Sequence, residues 1–316
     1  MRQLSGGASC RIHAFDLEEH GAVRRLVLRL DSPGAAAGTR REEFALLSTA
    51  ARAGVTVPAV HCAGDEGDGL GGAFFVMDLV AGEALARRLL RDERYSATRA
   101  ALPGELAVEL ARIHAIDHAG PALAFLAQRA PSGADPRRFA RAEVERYQQI
   151  LDVFSGGHPY PLLRLAARWL AVQAPAVSQP ALVHGDFRIG NVMFDERGLT
   201  AVLDWELCHL GDPVEDLGWL CVRAWRFGND HLAVGGLCSH EELTCAYEEA
   251  GGTRVDPAAL RWWELFGNWK WAIICRMQAE RHKAGGKLDV ELAAIGRRIA
   301  ETEQEILALL DAAQGA

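Results

Sequence analysis

Residues 182–220 read LVHGDFRIGNVMFDERGLTAVLDWELCHLGDPVEDLGWL, and this stretch decides how the rest of the chain is read. Two apolar runs, Ala181-Leu182-Val183-His184 and Leu199-Thr200-Ala201-Val202-Leu203-Asp204, have the character of short strands with a loop between them. The loop carries Asp186 and, five positions on, Asn191; thirteen positions after Asn191 comes Asp204, ending the second run. A loop between two strands turns back on itself, so the three side chains can surround one point. Chemically they are one carboxylate able to accept a hydroxyl proton and two hard oxygen donors of the kind magnesium prefers. The tripeptide HGD alone would be no more than a capped turn. The whole string with both spacings is far more restrictive.

Working outward, residues 1–82 read as β-rich. Arg24–Leu30 is a strand, Arg40–Ala53 a helix with Phe44, Leu47 and Ala51 at helical spacing, and Gly54 its stop. Val57–Cys62 and Ala73–Val80 read as two more strands, joined through the turn-forming tract Gly64–Gly72. From Glu83 onward the pattern is mainly helical: Leu102–Ala115, Arg137–Phe154, Leu162–Val172, Glu241–Ala250, Ala258–Arg281 and Leu288–Ala312. The expected class is α+β. A small β-rich lobe over 1–82 precedes a larger, mainly helical lobe over 83–316, with a cleft between them.

Composition narrows the function classes. The 316 residues are 49% hydrophobic and 24% charged, ordinary for a globular chain and unlike a disordered, collagenous or small disulfide-stapled one. No apolar run approaches a membrane span, and MRQLSGGASCRIH has no apolar signal core, so a cytoplasmic protein is expected. Seven cysteines without a C-x-x-C pair read as reduced, mostly buried residues rather than a zinc site. The net charge of −8 argues against nucleic acid as a partner. That acidity sits in the second half: residues 181–316 hold 13 Lys and Arg against 22 Asp and Glu.

Near the start, Leu4-Ser5-Gly6-Gly7-Ala8-Ser9 leads into the alternating run Cys10–Phe15. A glycine turn between strands lets backbone N–H groups approach phosphates, although glycines in a hairpin need no ligand. The run is neither a Walker A loop nor a dinucleotide-binding G-x-G-x-x-G.

Together these residues resemble the aminoglycoside phosphotransferase/choline kinase family, whose fold is protein-kinase-like. The similarity extends from Leu4 to about Leu220. Within the family, HGDFR-x-x-N with LDWE-x-x-x-x-GDP-x-x-D is most similar to the branch that includes the kinase-like domain fused to acyl-CoA dehydrogenases. The resemblance implies a two-lobed kinase-like fold with ATP and Mg2+ as cofactors. It makes Asp186 the catalytic base and Asn191 and Asp204 the metal ligands. It places Gly6, Gly7 and Ser9 over the phosphates, and Arg29 where most members have a phosphate-binding lysine. Glu43 would be the helix partner of Arg29, with Glu42 a near alternative. Met77, Asp78 and Val80 fall in the hinge that would bind adenine, and His184 would brace the catalytic loop. The implied activity moves the γ-phosphate of ATP to the hydroxyl of a small-molecule acceptor.

Two acceptor classes stay open on the sequence: a hydroxy-acyl compound, favoured by the branch and by the tryptophan-rich region, and a cationic aminoglycoside, favoured by the acidic second half. A silent nucleotide-binding module is a third reading, supported by arginine at position 29. For an anionic CoA ester, Arg223, Arg226, Lys270 and Arg276 are the candidate basic patch. Arg188, two residues past Asp186, either contacts the transferring group or bridges to Glu206 or Asp212. Asp212 and Asp216 are expected to cap and anchor the helix that follows. Glu206 could serve metal, substrate or structure. His114 and His118, lacking an intervening Glu motif, are expected to be structural. Trp262, Trp263, Trp269 and Trp271 mark a buried helix, and some of these rings, with Trp219 and Trp225, could wall an acceptor pocket.

Overall fold

Alternating apolar and polar residues from Cys10 to Leu30 fold back as one long hairpin. In the computed structural model, which describes residues 2–4, 10–31, 39–284 and 290–314, β1 (Arg2–Gln3) pairs with β2 (Cys10–Glu19), and β2 pairs with β3 (Ala22–Asp31). The two-residue turn His20-Gly21 takes positive φ at both positions, matching the twist of the strands it joins. Helix α1 (Thr39–Arg52) follows, then β4 (Val60–Gly64) and β5 (Phe74–Asp78). The strands form one antiparallel sheet of order β1-β2-β3-β5-β4, with Arg29 of β3 opposite Phe75 and Leu26 opposite Asp78.

Two readings of this lobe need correction. Strand β4 starts at Val60 rather than Val57, because Pro58 has no N–H to give a ladder. Helix α1 buries Glu43, Leu46, Leu47 and Ala50, whereas Ala51 is exposed. Its inward face is rotated by one residue from the apolar reading, and the cause is a carboxylate turned inward.

The larger part comprises α2 (Ala86–Arg91), α3 (Ser96–His114), α4 (Ala124–Arg129), α5 (Arg138–Phe154) and α6 (Pro161–Val172). Short strands β6 (Ala181–Val183), β7 (Val192–Asp195), β8 (Gly198–Val202) and β9 (His209–Gly211) then interrupt it. After them come α7 (Val214–Leu220), α8 (His240–Glu249), α9 (Pro257–Ala284), α10 (Val290–Gly296) and α11 (Ile299–Gln314). The single helix expected over Leu288–Ala312 is thus two. Gly296 ends α10 where a side chain would press on Ala279 of α9, at 2.7 Å from its Cβ.

This is the two-lobed α+β architecture that the sequence implied. One hydrophobic core runs through both parts, from Leu46 and Phe75 to Trp263 and Trp269. Backbone and side-chain bonds also join them. Val202 N–H donates to Thr56 O (2.8 Å), while Thr56 N–H and Oγ1 donate to Glu109 (2.8 and 2.9 Å). No helix among the described residues is long and apolar enough to cross a membrane.

Candidate active site

The turn after β6 is set by Gly185, at φ +78°, where an added Cβ would lie 2.6 Å from Leu207 O. Only glycine meets both demands. The amides of His184 and Gly185 donate to the two oxygens of Asp216 on α7 (2.7 and 2.9 Å), and His114 of α3 adds a bond to Asp216 Oδ2 (3.1 Å). Burial pushes the Asp216 carboxyl up, but these donors hold it below the ordinary carboxylate range. Asp216 therefore anchors the loop before Asp186 rather than capping its own helix, which corrects the sequence reading. Asp212 does what was expected of it, accepting from Val214 N–H (3.0 Å), and it also takes Trp263 Nε1–H (2.8 Å).

His184 is fully buried and neutral. Desolvation lowers its pKa, Nε2–H donates to Leu203 O (3.1 Å), and Nδ1 accepts from Asp186 N–H (3.3 Å). It ties the loop to the strand end that carries Asp204. The backbone does the same, because Leu203 N–H donates to Asn191 O (2.8 Å).

Around this frame the structure gathers six of the candidate residues, Asp186 with Asn191 and Arg188, and Asp204 with Arg29 and Glu43. Asn191 Nδ2 donates to Asp186 O (3.0 Å) and to its carboxylate. Arg188 Nε and Trp219 Nε1–H donate to Asp186 Oδ1 at 3.2 and 2.7 Å. Asp204 sits in the left-handed region at φ +68° with its carboxylate partly exposed, and Arg29 Nη2 reaches its Oδ1 at 3.4 Å. The other arm of Arg29, Nη1, lies 2.6 Å from Glu43 Oε1. Glu42, the alternative partner, is held instead by Arg129 (2.6 and 2.9 Å). Burial pushes Glu43 up to about 7 against the pull of Arg29 and Arg40.

Met77 and Asp78 close β5, three positions along the sheet from Arg29, and Val80 follows two residues later. The Asp78 side chain is engaged at the end of β5 by His61 Nε2 (2.6 Å) and Arg24 (3.4 Å), so any adenine contact there would be through backbone groups. Gly6, Gly7 and Ser9 lie outside the described residues.

Several side chains do not behave as the sequence suggested. Arg188 meets neither Glu206 nor Asp212; it stacks over Trp225 at 4.8 Å and bonds Asp186. Trp262, Trp263 and Trp269 are core, as expected of a buried helix, whereas Trp219, Trp225 and Trp271 form a second cluster beside Asp186. The proposed basic patch dissolves. Arg226 is buried on Glu264 (2.7 Å), Lys270 is buried against Glu215 (3.5 Å), Arg276 pairs with Glu280, and Arg223 pairs with Asp230 (3.0 Å). Arg40 was missed altogether. It is 2% exposed and joins Asp31 (2.7 Å), Glu43 and Glu206 (3.8 Å).

A sequence profile of the phosphotransferase enzyme family matches residues 1–263. The chain belongs to that family. Mouse (Mus musculus) acyl-CoA dehydrogenase family member 10 is 29% identical over 206 residues, covering 64% of this phosphotransferase-family chain and 18% of the mouse protein. Chicken (Gallus gallus) acyl-CoA dehydrogenase family member 11 is 32% identical over 273 residues, covering 80% and 33%. The chain therefore spans a third or less of these relatives. Among solved structures, a candidate aminoglycoside phosphotransferase from Ralstonia eutropha superposes with a TM-score of 0.76 at 23% identity, covering 98% of this chain and 91% of that one. A thermostable mutant of aminoglycoside phosphotransferase APH(4)-Ia, in ternary complex with AMP-PNP and hygromycin B, gives 0.65 at 20% identity, covering 99% and 94%. The family member shares their kinase-like fold.

Proposed function

We propose that this family member is an ATP- and Mg2+-dependent kinase that moves the γ-phosphate to the hydroxyl of a small hydroxy-acyl acceptor. The observation that carries the reading is that one strand–loop–strand unit holds Asp186 against Asn191 and brings Asp204 to Arg29 of β3, the two pairs being tied together by the Leu203 N–H bond to Asn191 O. Residues 1–82 and 83–316 would form the two walls of the nucleotide cleft. Backbone groups of Asp78 and Val80, beside Met77, would take the adenine, and the amides of Gly6, Gly7 and Ser9 the phosphates.

The side chains suit magnesium. The Asn191 amide spends its N–H on Asp186, which leaves its carbonyl oxygen as the hard ligand, and the Asp204 carboxylate is partly exposed in its turn. Bound there, the ion would neutralise charge on the phosphates. Asp186 would orient the acceptor hydroxyl and take its proton. Trp219 and Arg188, both donating to Oδ1, fix the carboxylate so that little reorganisation is needed at reaction. Arg29, held by Glu43, would contact phosphate oxygens.

The acceptor preference rests on what surrounds Asp186. The partly exposed arginine over Trp225 and the half-buried indole of Trp271, backed by the buried Trp219 and Trp225, offer cationic and apolar surface, which suits a neutral or anionic acyl compound better than a polycation. The acyl-CoA dehydrogenase names of the relatives favour the same class. ADP release with Mg–ATP across a panel of hydroxyacyl-CoA esters and aminoglycosides tests this. Asp186→Ala should keep nucleotide binding and lose turnover by at least about 100-fold, whereas Asp204→Ala should lose metal-dependent binding of an ATP analogue. Turnover with kanamycin-like compounds and none with any hydroxyacyl ester would overturn the acceptor. Normal turnover by Asp186→Ala would overturn the mechanism.

A further inference from the structure

Lys270 lies in the middle of α9 and is 2% exposed, so its ammonium cannot reach a ligand in the cleft. Its surroundings are nonetheless specific. Nζ donates to Gly185 O (2.9 Å), the carbonyl of the residue before Asp186. It stands 4.5 Å from the centre of the Trp219 ring, the same indole whose N–H donates to Asp186 Oδ1 at 2.7 Å. Glu215 lies 3.5 Å away and the Tyr147 ring 5.3 Å away. One buried cation thus touches both the backbone leading into Asp186 and the side chain that bonds its carboxylate.

A buried ammonium is a poor way to stabilise a core. Removing it from water costs several kcal/mol before its partners compensate, and an apolar residue of similar volume commonly serves stability as well. Glu215 is not held by it alone, because His209 Nε2–H donates to the other oxygen of that carboxylate (3.1 Å). What an apolar residue could not do is hold a carbonyl and an indole face together. We infer that Lys270 is a positioning residue for phosphoryl transfer, fixing Asp186 through Gly185 O and the Trp219 ring; this rests on the phosphotransfer reading above.

The test is a double-mutant cycle on the full chain. Lys270→Met, Trp219→Phe and the double variant are compared for ADP release from Mg–ATP with water as acceptor, for binding of Mg–AMP-PNP, and for thermal midpoint. A small displacement of a reacting group can cost up to about 100-fold in rate. Each single variant is therefore expected to lose about tenfold or more in kcat while AMP-PNP affinity stays within about threefold. Because Lys270 acts partly through Trp219, the double variant should fall well short of the product of the two losses. Unchanged kcat in Lys270→Met, equal loss in affinity and kcat, or fully multiplicative losses would overturn the inference. If Lys270→Met does not fold, Lys270→Leu carries the same comparison, and Lys270→Gln, which keeps a donor for Gly185 O, should recover part of the loss in kcat. The two failures separate cleanly. If Asp186→Ala is inert while Lys270→Met is as active as the parent, only the positioning role falls. A parent chain that releases no ADP with water or with any member of the acceptor panel, or an Asp186→Ala chain that matches it, sinks phosphotransfer and the positioning role together.

Discussion

Arginine at position 29 is where one residue carries most weight. A lysine ammonium is a compact point charge, whereas guanidinium is a fork with two separated donors. Here the two arms are used separately: Nη1 meets Glu43 at 2.6 Å and Nη2 meets Asp204 at 3.4 Å. Arg40 sits on the far side of Glu43 and extends the chain of charges to Asp31 and Glu206. The resemblance to the family leads one to expect lysine, which would make Arg29→Lys an improvement. The geometry argues the reverse, since one ammonium cannot satisfy two carboxylates that a fork was placed between. Arg29→Lys is expected to weaken Mg–AMP-PNP binding about five- to tenfold, roughly the loss of one charge-assisted hydrogen bond. Calorimetric titration checks it; equal or tighter binding would show that the fork is dispensable.

At the scale of elements, the contact between α7 and α9 decides where the catalytic loop sits. Gly218 faces α9 so closely that an added Cβ would lie 2.5 Å from Trp263 Cβ and 2.9 Å from Glu264 N. Gly267 returns the contact, its would-be Cβ 2.6 Å from Val222. The two glycines let α7 lie against α9, and α7 carries Glu215, Asp216 and Trp219 to the loop. Alanine in a helix is worth about 1 kcal/mol over glycine, but overpacking costs about 1–3 kcal/mol. The second effect wins here because the clash is with backbone as well as side chain. Gly218→Ala should therefore lower the thermal midpoint in spite of its better helix propensity, with a larger loss in turnover than in nucleotide binding. A raised midpoint would mean that the helices separate at no cost. This contact also marks the limit of what the sequence discloses. Asp186, Asn191 and Asp204 were legible because their spacing is local to one strand–loop–strand unit. The loop's supports were not: Lys270 is 85 positions from Gly185 and Asp216 is 32 from His184. A lysine amid tryptophans reads as part of a basic patch for an anionic acceptor until the helix is seen from inside. Likewise an inward glutamate at position 43 rotated the buried face of α1, because apolar periodicity has no term for a carboxylate that two arginines receive.

For the whole molecule, the informative group is the charge network where α5, α7, α9 and β9 meet. His209 donates through Nδ1 to Leu207 O (3.0 Å) and through Nε2 to Glu215 (3.1 Å), so both ring nitrogens carry hydrogen. Burial works against the imidazolium, but Glu215 and Glu143 overcome it and raise its pKa to about 9 from an ordinary 6.5. Lys270, 3.5 Å from Glu215, and Arg146, 3.4 Å from Glu143, complete a group of five charges. The sign follows from linkage. A pKa raised on folding contributes stability that is complete below about pH 6.5 and is lost as pH rises through about 9. The shift caps the contribution at roughly 3 kcal/mol, and partial exposure of the ring reduces it. Other terms also move with pH, because a chain of net charge −8 becomes more self-repelling as pH rises. That repulsion is shared almost equally by a chain lacking this one histidine, so comparison isolates the group. Thermal midpoints of the parent and of His209→Gln should lie furthest apart near pH 6.5 and converge by about pH 10, with the variant the less stable throughout the neutral range. Parallel curves from pH 6 to 10 would mean that His209 is neutral in the folded chain.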